Sequence, residues 1–253
     1  MEEHSLWIAV EANRLLGPLV APFKNSVCTA IYGIFRQKYI PPEKVIPDHI
    51  LFALIVFLFC CVFFPLVRRS FSMEKPGKIQ HLLEVAIEFL HEQLEENIGH
   101  GGKKFLPMIA TIGTFILLMN LLGLIPGFMS PTSNLNVTAG CAITVFLYYN
   151  YLGIKKNGVL KYFKHFAGPV WWLSWLMFPI EIISHLARPF SLTVRLFANI
   201  YGEELIIVVF FGLLPFLLPL PIMGLAIFTS FLQAFIFMVL TMIYVSGAVA
   251  EDH

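Results

Sequence analysis

The sequence predicts an all-α integral membrane protein, with about five membrane helices and one amphipathic interfacial helix. Hydrophobic residues make up 58% of the 253 positions and charged residues only 13%, where soluble domains carry about 25%. The mean hydropathy is +0.78. The net charge of +1 indicates no nucleic-acid partner. No motif predicts a metal site or a cofactor.

The first 48 residues form an N-terminal tail without a run long enough to span a bilayer. Residues 6–19 are predicted to form a short amphipathic helix on the surface. Pro41 and Pro42 end whatever structure precedes them. The membrane domain is therefore predicted to cover residues 49–253.

The first membrane helix is predicted at residues 49–67 and is closed by Arg68 and Arg69. The positive-inside rule places this end in the cytoplasm. Residues 76–98 then alternate leucines and glutamates at helical spacing. This pattern predicts an amphipathic helix on the cytoplasmic interface or against a partner.

Two shorter membrane helices follow, at residues 105–125 and 137–154. The loop between them, residues 126–136, carries no charge, which indicates the outside. The second helix ends at Lys155 and Lys156, which indicates the cytoplasm.

The last two membrane helices, residues 170–214 and 222–249, are longer than a perpendicular span needs. Pro179 and Pro189 interrupt the first of them, and an uncharged proline-rich turn joins the pair. This pattern predicts a tilted hairpin. Alternation from the charged loops predicts an N-terminus outside and a C-terminus in the cytoplasm.

Polar residues between positions 181 and 204 interrupt the apolar fourth membrane helix. At about 100° per residue, one narrow face carries Glu181, His185, Arg188, Arg195, Asn199 and Glu203. Glu204 lies roughly opposite. An arginine in mid-bilayer costs at least about 2.5–3.5 kcal/mol, so Arg195 must face protein or water. The density of polar groups predicts an ion pathway, and the alternative is a structural ion pair.

The last helix carries a second polar stripe, formed by Thr229, Ser230, Gln233, Thr241 and Tyr244. Gln233 has a long, uncharged, hydrogen-bonding side chain. It is suited to contact Arg195 across the hairpin, and the alternative is a packing role between helices.

Motifs for other functions are absent from the sequence: it has no G-x-S-x-G, no HExxH and no P-loop. It also has no inverted repeat of the kind that secondary transporters show. The pattern favours a fixed proton path that works with another subunit. A self-contained channel or transporter and a purely structural scaffold remain alternatives.

Four segments resemble subunit a of the bacterial F-type ATP synthases. They are SLTVRLFANIYGEEL and QAFIFMVLTMIY in the last two helices, IPDHILFA before the first span and LLMNLLGLIPG in the second. The resemblance covers roughly residues 45–250 and is most specific in the last two helices.

The resemblance implies a stator subunit of the membrane Fo motor, in the bacterial inner membrane, without a catalytic site or cofactor of its own. Its partners would be a ring of c subunits, each with a mid-membrane carboxylate, the peripheral-stalk b subunits and the rest of the complex. Proton flow through two half-channels would turn the ring and drive ATP synthesis.

By the same resemblance, Arg195 matches the essential arginine that separates the half-channels. Asn199 and Glu204 match the outside half-channel, Glu181 the inside one, and Gln233 a polar partner of the arginine. Ser230 and Tyr244 lie on the polar stripe of the last helix, which faces the polar residues between positions 181 and 204.

Three positions depart from the family pattern. Glu203 stands where many members have a small residue, which leaves open which of the two adjacent glutamates relays protons. Ala226 stands where some members have a histidine. His185 matches no family hallmark; it faces the track, and we expect it to tune the inside half-channel.

Overall fold

The computed structural model describes residues 7–34, 46–69, 71–72, 77–99, 101–125, 128–158, 174–213 and 219–249. These residues form α-helices and two short 3-10 turns, without a β-strand among them. The helices are α1 Trp7–Ile34, α2 Asp48–Arg69, α3 Lys78–Ile98, α4 Leu106–Leu122, α5 Leu135–Asn157, α6 Ser174–Leu213 and α7 Pro219–Val249. The prediction of an all-α fold is confirmed.

Four helical segments are long and apolar enough to cross a membrane: Asp48–Arg69, Gly102–Leu122, Leu135–Lys156 and Leu220–Val249. Between 17% and 39% of each apolar stretch is buried inside the chain, so most of this surface is left for lipid or other subunits. Helix α6 is 40 residues long and is not among these four segments. The protein is a multi-pass membrane protein.

Helix α1 is longer than the sequence predicts: it runs for 28 residues and contains Pro18 and Pro22. Each proline removes one backbone donor, but the helix continues through both. The Asn13 side chain fixes α1 to the chain just before α2. Its Nδ2 donates to the Ile46 carbonyl at 2.7 Å, and the Ile46 N–H donates to its Oδ1 at 2.8 Å.

Helix α3, predicted at the interface, packs against α4 and α7 of its own chain. It buries Leu90 and Leu94, and its Phe89 ring lies 5.7 Å from that of Phe235 on α7. Its glutamates at positions 84, 88, 92 and 95 are exposed. The predicted amphipathic pattern therefore describes a helix whose apolar side is partly covered by the protein itself.

The core lies where α4, α5, α6 and α7 meet. Its most deeply buried side chains are Ile109, Ile116, Met119, Val145, Tyr149, Leu192, Leu196, Phe237 and Met242. Nearly all are apolar, as expected where packing rather than hydrogen bonding joins the helices. This core holds one side of α6 and leaves its other side uncovered.

Candidate functional site

Helices α6 and α7 lie antiparallel in a constant register. Asn199 is hydrogen-bonded to Gln233. Four residues further along α6, Glu203 lies near Thr229, which is four residues back along α7. Eleven residues before Asn199, Arg188 lies over the ring of Tyr244, eleven residues after Gln233. Residues of the two predicted polar stripes therefore face each other at these three levels of the helix pair.

Arg195 is exposed and makes no ion pair within the part of the chain that the structure describes. Neighbouring positions on α6 point into the core: Leu192, Leu196 and Ile200 are each at most 3% exposed. The arginine thus lies on the side of α6 that turns away from the core. The predicted alternative, an ion pair with Glu181 or Glu203, is not formed among the described residues.

Small residues surround Arg195 on this open side of α6. Ala187, Ser191 and Ala198 are exposed there, and a Cβ added to Gly202 would meet no atom within 4 Å. Small side chains let another helix approach closely. We call the surface formed by these residues and Arg195 the arginine face.

Gln233 is 3% exposed and contacts a different residue from the one predicted. Its Oε1 accepts a hydrogen bond from Asn199 Nδ2 at 2.9 Å, one turn of α6 beyond Arg195. The predicted contact between Gln233 and Arg195 is therefore replaced by one to Asn199. One turn before Gln233, Ser230 is buried, and its Oγ has no hydrogen-bond partner in the described structure.

Glu204 points away from the arginine face, as its position on the helix predicts. Its Oε1 accepts a hydrogen bond at 3.0 Å from the backbone N–H of Ser130, in the segment before α5. Ser130 Oγ lies 2.6 Å from Thr132 Oγ1, which donates to Asn120 Oδ1 at 2.7 Å. Ser130 thus connects the two ends of this chain of hydrogen bonds: its backbone N–H binds Glu204, and its hydroxyl leads through Thr132 to a buried asparagine on α4.

Gly123 makes room for this chain of hydrogen bonds. A Cβ at this position would lie 2.5 Å from Ser130 Cβ and 3.0 Å from Ser130 Cα. The glycine is required here by close approach, since its φ of −66° is ordinary helical backbone. Asn120 Nδ2 is buried without a partner among the described residues; such a group commonly binds ordered water.

Glu203 is half-buried and lies on the α7 side of α6. The hydroxyl of Thr229 lies near it and donates its own hydrogen bond to the Ala226 carbonyl at 3.1 Å. The two adjacent glutamates therefore have separate surroundings. Glu204 faces the segment before α5, and Glu203 faces α7.

Aromatic side chains lie at the opposite end of the polar stripe of α6 from Glu204. Tyr149 of α5 has its hydroxyl 3.1 Å from His185 Nδ1. The guanidinium carbon of Arg188 lies 6.0 Å from the centre of the Tyr149 ring and 5.3 Å from that of Tyr244. Glu181, one turn before His185, is half-buried. We call Tyr149, Tyr244, Arg188 and His185 the aromatic cluster.

The structure brings together most of the predicted site residues and adds several that the sequence did not indicate. The additions are Asn120, Gly123, Ser130, Thr132 and Tyr149. The hydroxyl-rich run that begins at Ser130 lies within the uncharged loop, and its composition was the one signal available. Tyr149 lies in an apolar span with Tyr148 and Tyr151, and nothing in the spacing of the three tyrosines distinguishes it.

Comparison with known proteins shows which family the chain resembles. The family model for the ATP synthase A chain matches residues 50–246. ATP synthase subunit a of Solibacter usitatus is 49% identical over 213 residues, which cover 84% of this chain and 91% of that protein. ATP synthase subunit a of Koribacter versatilis is 41% identical over 251 residues, or 99% of both chains. The protein of the same name from Geobacter sulfurreducens is 49% identical over 194 residues, covering 77% of this chain and 84% of that protein.

Proposed function

This chain belongs to the ATP synthase subunit a family, and we propose that it is the stator of a proton-driven rotary motor. It would pass protons to and from mid-membrane carboxylates on a ring of c subunits. The subunit would carry no catalytic site for ATP chemistry. Its task would be to couple proton flow to rotation, and through rotation to ATP synthesis in the rest of the complex.

The observation that carries this proposal is the exposed position of Arg195 on a face of small residues. A guanidinium facing hydrocarbon costs at least about 2.5–3.5 kcal/mol, so this face needs a partner. A ring helix with a carboxylate meets both requirements, because small residues permit close approach and the carboxylate neutralises the arginine. A self-contained channel would instead be expected to line its pore with this arginine.

Polar groups on opposite sides of Arg195 support two separate half-channels. Glu204 lies nine residues, about 13.5 Å, in one direction, and His185 lies ten residues, about 15 Å, in the other. Glu204 accepts a hydrogen bond from the backbone N–H of Ser130, and His185 shares a hydrogen bond with the hydroxyl of Tyr149. Within the described structure no chain of hydrogen bonds joins the two groups through Arg195.

Basic residues support an orientation for these half-channels. Lys156, at the end of α5, donates to the Val249 carbonyl at 2.7 Å, so the ends of α5 and α7 lie on the same side. Arg68 and Arg69 end α2. The positive-inside rule places these ends in the cytoplasm. The Glu204 end of α6 would then open to the outside, and the aromatic cluster to the cytoplasm.

The arginine would act as the barrier between the half-channels. Each proton that crosses is driven by about 2.3 kcal/mol per 100 mV of membrane potential. A direct leak past α6 would dissipate this energy without turning the ring. A fixed positive charge on the arginine face repels protons and attracts an ionised ring carboxylate, so that protons cross only by travelling with the ring.

Exposed apolar surface elsewhere suits other subunits of the complex and lipid. On α2, Phe57, Phe59 and Val62 are each more than half exposed. We expect the peripheral-stalk b subunits to cover part of such surface, in a bacterial inner membrane. The N-terminus would lie outside and the C-terminus in the cytoplasm.

The proposal is tested with Arg195→Ala in inverted membrane vesicles that contain the complete complex. We expect ATP-driven proton pumping to be lost while the detached catalytic head still hydrolyses ATP. The matched control is Arg68→Ala, an exposed arginine at the end of α2, which should pump normally. Normal pumping by Arg195→Ala would overturn the proposal, and ion conduction by the purified chain in liposomes would favour a self-contained channel.

A further inference from the structure

Tyr149 is the central residue of the aromatic cluster. It is 1% exposed, and its ring lies 5.7 Å from that of His185 and 5.9 Å from that of Tyr244. A buried tyrosine hydroxyl generally needs a hydrogen-bond partner. Here that partner is an ionisable group, Nδ1 of His185, at 3.1 Å.

Arg188 belongs to the same aromatic cluster, and none of the other members of this cluster is a carboxylate. Its guanidinium lies over the rings of Tyr149 and Tyr244, and it forms no ion pair in the described part of the chain. The faces of aromatic rings attract cations, so the two tyrosines hold this charge within the protein. The contact also keeps Arg188 away from the open arginine face, where Arg195 stands.

We propose that Tyr149 is a positioning residue for proton transfer on the cytoplasmic side of Arg195, acting through His185. The proposal rests on the proposed function. The physical reason lies in the phenol group, which both donates and accepts a hydrogen bond. It can donate to Nδ1 when that nitrogen carries no proton and accept from Nδ1 when it does, so His185 keeps this hydrogen bond in both charge states.

Histidine is the side chain that ordinarily changes its charge between about pH 5 and pH 8. Tyr149 from α5 contacts His185 directly. Tyr244 from α7 and Arg188 from α6 both lie against Tyr149, and Glu181 lies one turn before His185 on α6. Of these, Tyr149 is the one whose hydrogen bond to the imidazole is defined. Tyr149 thereby orients the imidazole between Glu181 and Arg195, where protons of the cytoplasmic half-channel must pass.

Inverted vesicles carrying the complete complex provide the test, because their outer medium bathes the cytoplasmic side. The rate of proton pumping is divided by the rate of ATP hydrolysis in the same vesicles and followed against the pH of the medium. The variants are Tyr149→Phe, His185→Gln and the double variant. The matched control is Tyr151→Phe on the same helix, since Tyr151 is 59% exposed.

We expect Tyr149→Phe to move the pH profile towards lower pH, because the charge-assisted hydrogen bond of the protonated imidazole is stronger than the bond that the neutral imidazole loses. His185→Gln should remove the part of the pH dependence that comes from protonation of the imidazole. The double variant should then give the same profile as His185→Gln alone. Tyr151→Phe should match the unmodified complex. A Tyr149→Phe profile that superimposes on the control, or effects that simply add in the double variant, would overturn the proposal.

Assembly is checked by the amount of this chain recovered in the purified complex. If the complex with Tyr149→Phe fails to assemble, the pH profile of His185→Gln becomes the deciding measurement. An unchanged pH profile in that variant also overturns the proposal. The outcome is separable from that of the proposed function. Unchanged profiles together with loss of pumping in Arg195→Ala would remove the role of Tyr149 alone.

Discussion

At one end of α6 Glu204 accepts a hydrogen bond from Ser130, whereas at the other end Arg188 rests on the rings of Tyr149 and Tyr244. The first end is built from hydroxyl, amide and carboxyl groups in a connected chain. The second is built mainly from aromatic rings, with one defined hydrogen bond to His185. The same helix thus presents two different chemical settings on either side of Arg195.

The difference is instructive because both ends must carry polar groups in an apolar environment. A chain of hydrogen bonds satisfies neutral groups and holds the Glu204 carboxyl group, which can itself take up and release a proton. Aromatic faces stabilise a cation but take up no proton. We infer that the Glu204 end is specialised for relay, whereas the aromatic cluster both holds a fixed charge and places one ionisable group. Variants at each end should therefore fail in different ways.

The largest effect is expected at the Glu204 end. A proton-relaying side chain contributes about 100-fold or more to a rate, so Glu204→Gln should reduce ATP-driven pumping by that order. Glu203→Gln, at the adjacent position facing Thr229, should reduce pumping much less. The initial pumping rates of the two variants, measured in the same vesicle preparation, decide between the glutamates.

Equal losses in both variants would mean that the two carboxylates relay in series. A larger loss in Glu203→Gln would show that the hydrogen bond from Ser130 to Glu204 is structural. Either result would change the comparison, because the chain from Glu204 to Asn120 would no longer mark the outside half-channel.

A smaller effect is expected from Gly123→Ala. The added Cβ would lie 2.5 Å from Ser130 Cβ and 3.0 Å from its Cα. The backbone of Ser130 fixes the position of both atoms, so neither can move away by a side-chain rotation. The Ser130 segment should shift and weaken its hydrogen bond to Glu204. Loss of one such bond costs about 1–3 kcal/mol, so we expect about a tenfold reduction in pumping.

The matched control for this variant is Gly140→Ala on α5, where an added Cβ would meet no atom within 4 Å. It should pump and assemble normally. If Gly123→Ala also pumps normally while the assembled amount is unchanged, the precise position of Ser130 is unimportant. The Glu204 end of α6 would then tolerate a shift of the Ser130 segment without loss of proton pumping.

Residues with a periodic signal could be predicted from the sequence. Arg195 and Glu204 stood out because charged groups are costly in a membrane helix, and the helical period placed them on opposite sides. The partner of Gln233 could not be predicted in the same way. The register of α6 against α7 depends on the turn between them, and a shift of one turn exchanges Arg195 for Asn199.

The remaining contacts lacked any periodic signal. Ser130 reaches Glu204 from a loop, whose path depends on close approach at Gly123 rather than on a repeating pattern. Tyr149 looked like one more aromatic residue in an apolar span. Its position beside His185 follows from the packing of α5 on α6, which composition and spacing do not specify.

The smallest effect is expected at Tyr244, in the aromatic cluster. Tyr244→Phe keeps a ring beneath the guanidinium of Arg188, so pumping and assembly should be nearly unchanged. Tyr244→Leu removes the ring, and a cation–π contact within a protein is worth about 0.5–2 kcal/mol. The thermal stability of the assembled complex should therefore fall in the leucine variant and not in the phenylalanine variant. If the two variants are equally destabilised, the hydroxyl matters rather than the ring, and the cluster would be a second hydrogen-bonded relay like the Glu204 end.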